Sequence, residues 1–96
     1  MNQRFKRSPA ARVAEWPGIA SGELDVESAR QFALRLRAAI GDRSIRAVAR
    51  EAGLDEGTIR RTLAGDTWPD IRTITLLEHA LGVRLYANFD NAEVAN

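Results

Sequence analysis

Cysteine is absent from the 96 residues, which excludes a disulfide framework, a zinc finger and a thiol nucleophile. Histidine occurs once, as His79. With no cysteine and no cluster of carboxylates to join it, it forms no catalytic triad, metal site or acid–base pair, and it reads as a surface or half-buried helix residue. Asp55 and Glu56 are adjacent carboxylates, yet neighbours on a helix point about 100° apart. A cap and an outward-facing side chain account for both. Gly53, Gly57 and Gly65 are not a nucleotide fingerprint, because no strand precedes them and their spacing follows helix ends. Nothing resembles a signal peptide or a membrane span. The expectation is a soluble cytoplasmic protein with no catalytic residues, no metal and no cofactor.

Net charge is also scarce, at +1. It is unevenly spread. Residues 1–22 carry Arg4, Lys6, Arg7 and Arg12 against Glu15 alone, a net of +3; residues 23–67 balance; residues 68–96 carry Arg72 and Arg84 against Asp70, Glu78, Asp90 and Glu93, a net of −2. The expected organisation is a basic arm over 1–22, a helical domain over 23–83 and a tail over 84–96. At this length a single small core is possible and a separate effector-binding domain is not. Pro17, Gly18, Ser21 and Gly22 mark the turn region that ends the arm. Trp16 is expected to fold back onto the helical body and anchor the arm, a partner surface being the alternative.

Helical spacing dominates the middle of the chain. From Asp25 as cap, Val26, Ala29, Phe32, Ala33, Leu36 and Ile40 recur on one face, with Gly41 as the stop. Ser44 caps a short helix that buries Ile45, Val48, Ala49 and Ala52, and Gly53 supplies the left-handed residue that ends it. Leu54 fills the corner. Asp55 caps the next helix, in which Ile59, Thr62 and Leu63 face inward while Glu56, Gly57, Arg60 and Arg61 project outward. Pro69 forbids continuation, and Asp70 caps a fourth helix whose buried edge is expected along Ile71, Ile74, Leu77, Leu81 and then Val83, with Gly82 as its stop.

Two short helices meeting at a steep angle through a tight turn, with the small Ala49 and Gly53 at the contact, describe a helix-turn-helix. An ordinary helical hairpin needs only the apolar periodicity; here the small residues, the apolar corner and the cap occur together and in order. The expected partner is double-stranded DNA. Glu56, Gly57, Arg60 and Arg61 would face base edges in the major groove, and Ser44, Arg46, Thr58, Thr67 and Arg72 would lie along the flanking phosphates. The basic arm would follow a phosphate backbone or reach a minor groove; a solubilising terminus is the alternative.

Beyond Gly82 the rhythm changes. Val83, Leu85, Ala87 and Phe89 alternate with Arg84, Tyr86 and Asn88, a period of two that predicts a strand. A lone strand has no partner within the chain, so pairing with a second copy through Leu85, Tyr86, Ala87 and Phe89 would make a homodimer. A short fifth helix or an irregular tail laid on the core is the alternative.

The segments VAREAGLDEGTIRRTLAG and TWPDIRTITLLEHALGV resemble the Cro and phage-repressor type of helix-turn-helix, the XRE family. That resemblance implies a mainly α, compact four- to five-helix bundle of the lambda-repressor-like type, with the third helix presented to DNA. The added GVRLYANF is similar to the tails of HigA-type and HipB-type antitoxins, which implies a possible protein toxin as partner. The chain departs from the family pattern at Ile45, where a phosphate-binding glutamine often follows the cap. It departs again at Glu78, where a small apolar residue is usual, so the fourth helix is expected to be slightly less buried. The implied function is a dimeric repressor that binds an inverted repeat. The alternatives are an antitoxin that represses its own operon, or an adaptor that has kept the fold without binding DNA.

Overall fold

A computed structural model describes residues 7–86. Among them are four α-helices, α1 (Leu24–Ile40), α2 (Ile45–Ala52), α3 (Glu56–Ala64) and α4 (Ile71–Leu81), preceded by a short 3-10 helix at Ala10–Arg12. No strand occurs among these residues, and the architecture is the expected mainly α bundle. Helix α1 buries Val26, Ala29, Phe32, Ala33, Leu36 and Ile40, the stripe that the 3.6-residue period dictates. It packs on α3, and α2 packs on both α3 and α4. Phe32, Leu36, Val48, Ile59, Leu63 and Leu77 meet in one core.

Helix α1 starts earlier than its sequence suggests. Its N-cap is Glu23 rather than Asp25. The carboxylate of Asp25 instead receives the Arg12 guanidinium at 3.0 and 3.1 Å and the Val26 N–H at 2.8 Å. A cap side chain must reach forward to the second or third helical N–H, which Asp25, already inside the first turn, does not do. It sits with Glu27 in that turn, where negative charge complements the helix dipole.

The arm residues from Arg7 onward lie on the helical body. Ala10 donates its N–H to the carbonyl of Gly65 at 2.8 Å. The Trp16 indole donates to the carbonyl of Leu63 at 3.0 Å, the folding-back that its place beside a Pro-Gly turn predicts. Trp68 donates to the carbonyl of Arg7 at 2.9 Å, and the Arg12 guanidinium stands 5.6 Å over the Trp68 ring. Arg12 is also paired with Glu23 and Asp25, leaving its side chain 6% exposed. Its charge is therefore consumed inside the fold.

The tail differs from expectation. Over Val83–Tyr86 the chain is irregular, and Leu85 is buried in the core of its own subunit. The cause is Glu78, whose Oε2 accepts the N–H groups of Leu85 at 2.8 Å and Tyr86 at 3.0 Å. Two consecutive N–H groups turned to one carboxylate oxygen are incompatible with the alternating directions of a strand. Leu85 is thus a core residue where an intersubunit contact was expected, while Tyr86 is exposed. Ala87 and Phe89 lie outside the described residues.

Gly65 has a positive φ of 75°, and a Cβ there would stand 2.5 Å from Cε2 of Trp16 and 2.8 Å from Cβ of Ala10. Gly53 has a similar φ of 73° with open space around it. Replacing Gly53 by Ala should therefore cost only the left-handed backbone penalty of about 1–2 kcal/mol, whereas Gly65→Ala should cost more. Urea unfolding of both variants measures the excess. That excess should shrink in a Trp16→Ala background, and equal costs at the two glycines would contradict the docking of the arm.

Glu27 fastens the turn that ends the arm. It accepts from Nη2 and Nε of Arg30 at 2.8 and 2.9 Å, from Gln31 at 2.8 Å and from the Ser21 N–H at 2.8 Å, while Nη1 of Arg30 donates to the carbonyl of Pro17 at 3.0 Å. The Arg30 bonds, more than burial opposes, bring its pKa from 4.5 to about 2. A carboxylate with a depressed folded pKa stabilises fully above its unfolded pKa and loses that contribution as pH falls through the folded one. After solvent screening, the contribution should be about 1–2 kcal/mol. Unfolding free energy should fall between pH 4.5 and pH 2, and Glu27→Gln should flatten that decline.

Candidate nucleic-acid interface

Helix α2 begins at Ser44, whose hydroxyl accepts the Ala47 N–H at 3.0 Å. It ends at the left-handed Gly53, and the Leu54 N–H then closes on the carbonyl of Ala49 at 2.9 Å. Leu54 is half-buried against the core. The turn Gly53, Leu54, Asp55 thus brings α3 against α2, whose Ala49 and Ala52 are buried. Gly53, expected to be a small residue at the helix contact, is instead exposed with open space around it and serves the left-handed turn alone. On α3, Ile59, Thr62 and Leu63 are buried. The Thr62 hydroxyl is satisfied by donating to the carbonyl of Thr58 at 2.8 Å.

The opposite side of α3 carries its charge. Arg60 and Arg61 are exposed, while Glu56 and Gly57 are half-buried. Glu56 stands between two arginines: Arg46 on α2 donates to Oε2 at 3.2 Å and Arg60 donates to Oε1 at 3.2 Å. The two bonds, Arg46 first, lower its pKa. Arg61 is separate from this cluster, with its guanidinium 3.8 Å from Oδ2 of Asp55. Asp55 occupies the N-cap position of α3, but its side chain makes no cap hydrogen bond.

Four of the five expected phosphate ligands fall into two concave regions. Thr58, Thr67 and Arg72 share a depression of about 240 Å³ with Arg61, walled by Trp68 and Pro69 and floored by the start of α4. There Asp70 caps α4 by accepting the Thr73 N–H at 2.8 Å. A second depression, about 510 Å³, lies between α2 and the start of α3 and is lined by Arg46, Arg50, Leu54, Asp55 and Glu56. Ser44 is exposed at the start of α2 and lines neither. Arg50 was not singled out from sequence. Its position four residues after Arg46, on the same helical face, is the signal that could have found it.

An inward apolar face, a tight left-handed turn and an outward helix of arginines are what a duplex-reading motif requires. A family model described as helix-turn-helix matches residues 34–87. The chain belongs to the helix-turn-helix family. This XRE-type family consists of DNA-binding regulators. The match begins within α1 and leaves the docked arm outside it. Comparison with curated proteins and with solved structures gives no match. Among the described residues, no helix is long and apolar enough to cross a membrane.

Glu56 is paired with two arginines of the helix-turn-helix surface, Arg46 and Arg60, that could face phosphate. Glu56→Gln should therefore tighten binding to duplexes of any sequence severalfold and steepen the salt dependence by up to about one unit. Fluorescence anisotropy with unrelated duplexes at several salt concentrations measures both. Weaker binding to every duplex would mean that the carboxylate is needed to hold Arg46 and Arg60 in place.

Proposed function

We propose that this helix-turn-helix protein is a sequence-specific transcriptional regulator that reads DNA with α3, acting as a repressor in dimeric form. The observation that carries the reading is the division of α3 into a buried face of Ile59, Thr62 and Leu63 and an outward face of Glu56, Gly57, Arg60 and Arg61. Arg61 reads a guanine through two parallel hydrogen bonds. Arg60 takes a phosphate or a flanking base, and Glu56 accepts from a cytosine amino group once Arg46 and Arg60 have turned to the backbone. Ser44, Arg46, Thr58, Thr67 and Arg72 line the phosphates on either side. A net charge of +1 gives one subunit little non-specific attraction. Two subunits on an inverted repeat, with half-sites about 34–36 Å apart, would double the contacts. The buried Leu85 is not part of that pairing, for which Tyr86 remains exposed.

Selection of bound duplexes from a random library tests the reading directly. A single inverted-repeat sequence should emerge, and Arg61→Ala should cost about 1–3 kcal/mol on it and relax one base pair per half-site. Arg72→Ala should weaken all sequences alike and lower the salt slope by about one unit. Enrichment of no sequence by the parent protein, or an Arg61→Ala variant with unchanged preference, would contradict the assignment of α3.

A further inference from the structure

We propose that Asp55 is a positioning residue for Arg61, holding its guanidinium across the bare backbone of Gly57 so that it meets one base pair in a fixed orientation. The inference rests on the reading of α3 as the base-reading helix and adds a determinant of its specificity.

Three observations converge on Asp55. The caps of α2 and α4, Ser44 and Asp70, each accept the N–H three residues on. Asp55 is a strong cap type, yet its side chain makes no such bond. Its Oδ2 instead lies 3.8 Å from Nη2 of Arg61.

Gly57 supplies the second part. It lies inside α3 and does not have a positive φ. No turn requires a glycine here, and glycine is a poor helix former. A Cβ at this position would stand 2.7 Å from Nη1 of Arg61 and 2.9 Å from Oδ2 of Asp55. The guanidinium and the carboxylate occupy the volume that any side chain at 57 would need. The missing side chain is the passage through which Arg61 reaches back toward the start of the helix.

An exposed ion pair at this distance contributes little to folding. Its effect is on orientation. A free arginine can turn to a phosphate or to several bases, whereas one held in plane can offer its paired donors to O6 and N7 of guanine. Exclusion of water on docking would strengthen the hold. Arg46 and Arg60 are engaged by Glu56, so Arg61 is the arginine of α3 that this carboxylate can direct.

The test uses the full chain with Asp55→Ser, which keeps a good cap residue and removes the carboxylate, and with Gly57→Ala. Duplexes selected from a random library by the parent are assayed with each base substituted in turn. Both variants should stay folded by circular dichroism and lose at least about fivefold of the discrimination at the base pair that Arg61→Ala relaxes, with other positions unchanged. Full discrimination at that base pair in Asp55→Ser, or loss at a different one, would overturn the proposal while leaving α3 as the reader. A parent that selects no sequence would instead remove the DNA reading. A measurement without DNA then decides the holding itself: the Arg61 Nε–Hε group should be restricted in NMR relaxation of the parent and mobile in Asp55→Ser. Equal mobility in the two proteins overturns the proposal.

Discussion

A helix of nine residues cannot hold its shape alone in water, because so few hydrogen bonds do not offset the cost of starting it. Everything around α3 answers that constraint. Ile59 and Leu63 fix it to the core shared by α1, α2 and α4. Its C-terminal end is held from outside, where Trp16 donates to the carbonyl of Leu63 and Ala10 to that of Gly65. These bonds satisfy carbonyls that a helix end leaves unpaired. Because the arm grips the end of α3 away from Glu56 and Gly57, the outward face is left open while the axis of the helix is fixed.

The same economy governs charge. Arg12 and Arg30 serve the fold, one clamped by Glu23 and Asp25 and the other by Glu27. Arg46 and Arg60 share an acidic partner in Glu56, but with side chains well exposed to solvent. Exposed pairs exchange readily, and a phosphate can take the place of Glu56. Low net charge is therefore compatible with the proposed DNA contacts, Glu56 being an internal competitor that would suppress indiscriminate attraction to DNA.

The sequence made local periodicity legible, and with it the inward faces of α1, α2 and α3, the caps Ser44 and Asp70 and the left-handed stops Gly53 and Gly82. On α4 the expected edge fails at its two ends, where Ile71 and Val83 are exposed. Thr73 and Leu77 are the buried residues, because Asp70 starts the helix with Ile71 in its first turn, turned to solvent. What it hid depends on contacts between distant residues. Asp25 reads as a cap, but Arg12, thirteen residues earlier, draws its carboxylate away. Val83–Tyr86 has the alternation of a strand, but Glu78 on α4 takes two of its N–H groups and Leu85 drops into the core. Glu78, one of two departures from the family pattern, is the residue that shapes this tail. Among the candidate site residues, the spacing placed Arg61 on the outward face of α3 without revealing that it bends across Gly57 toward Asp55. No helical wheel records which way a long side chain lies.

In the proposed complex one surface, built from the start of α2, the outward face of α3 and the loop into α4, meets the duplex. Amide chemical shifts of the labelled full chain, followed during titration with a duplex selected from random DNA, test this most directly. The largest changes should cluster at Ser44–Arg46, Asp55–Arg61 and Thr67–Arg72 and leave the exposed face of α1 around Leu34 and Arg37 unmoved. Changes concentrated on α1, with α3 silent, would contradict it.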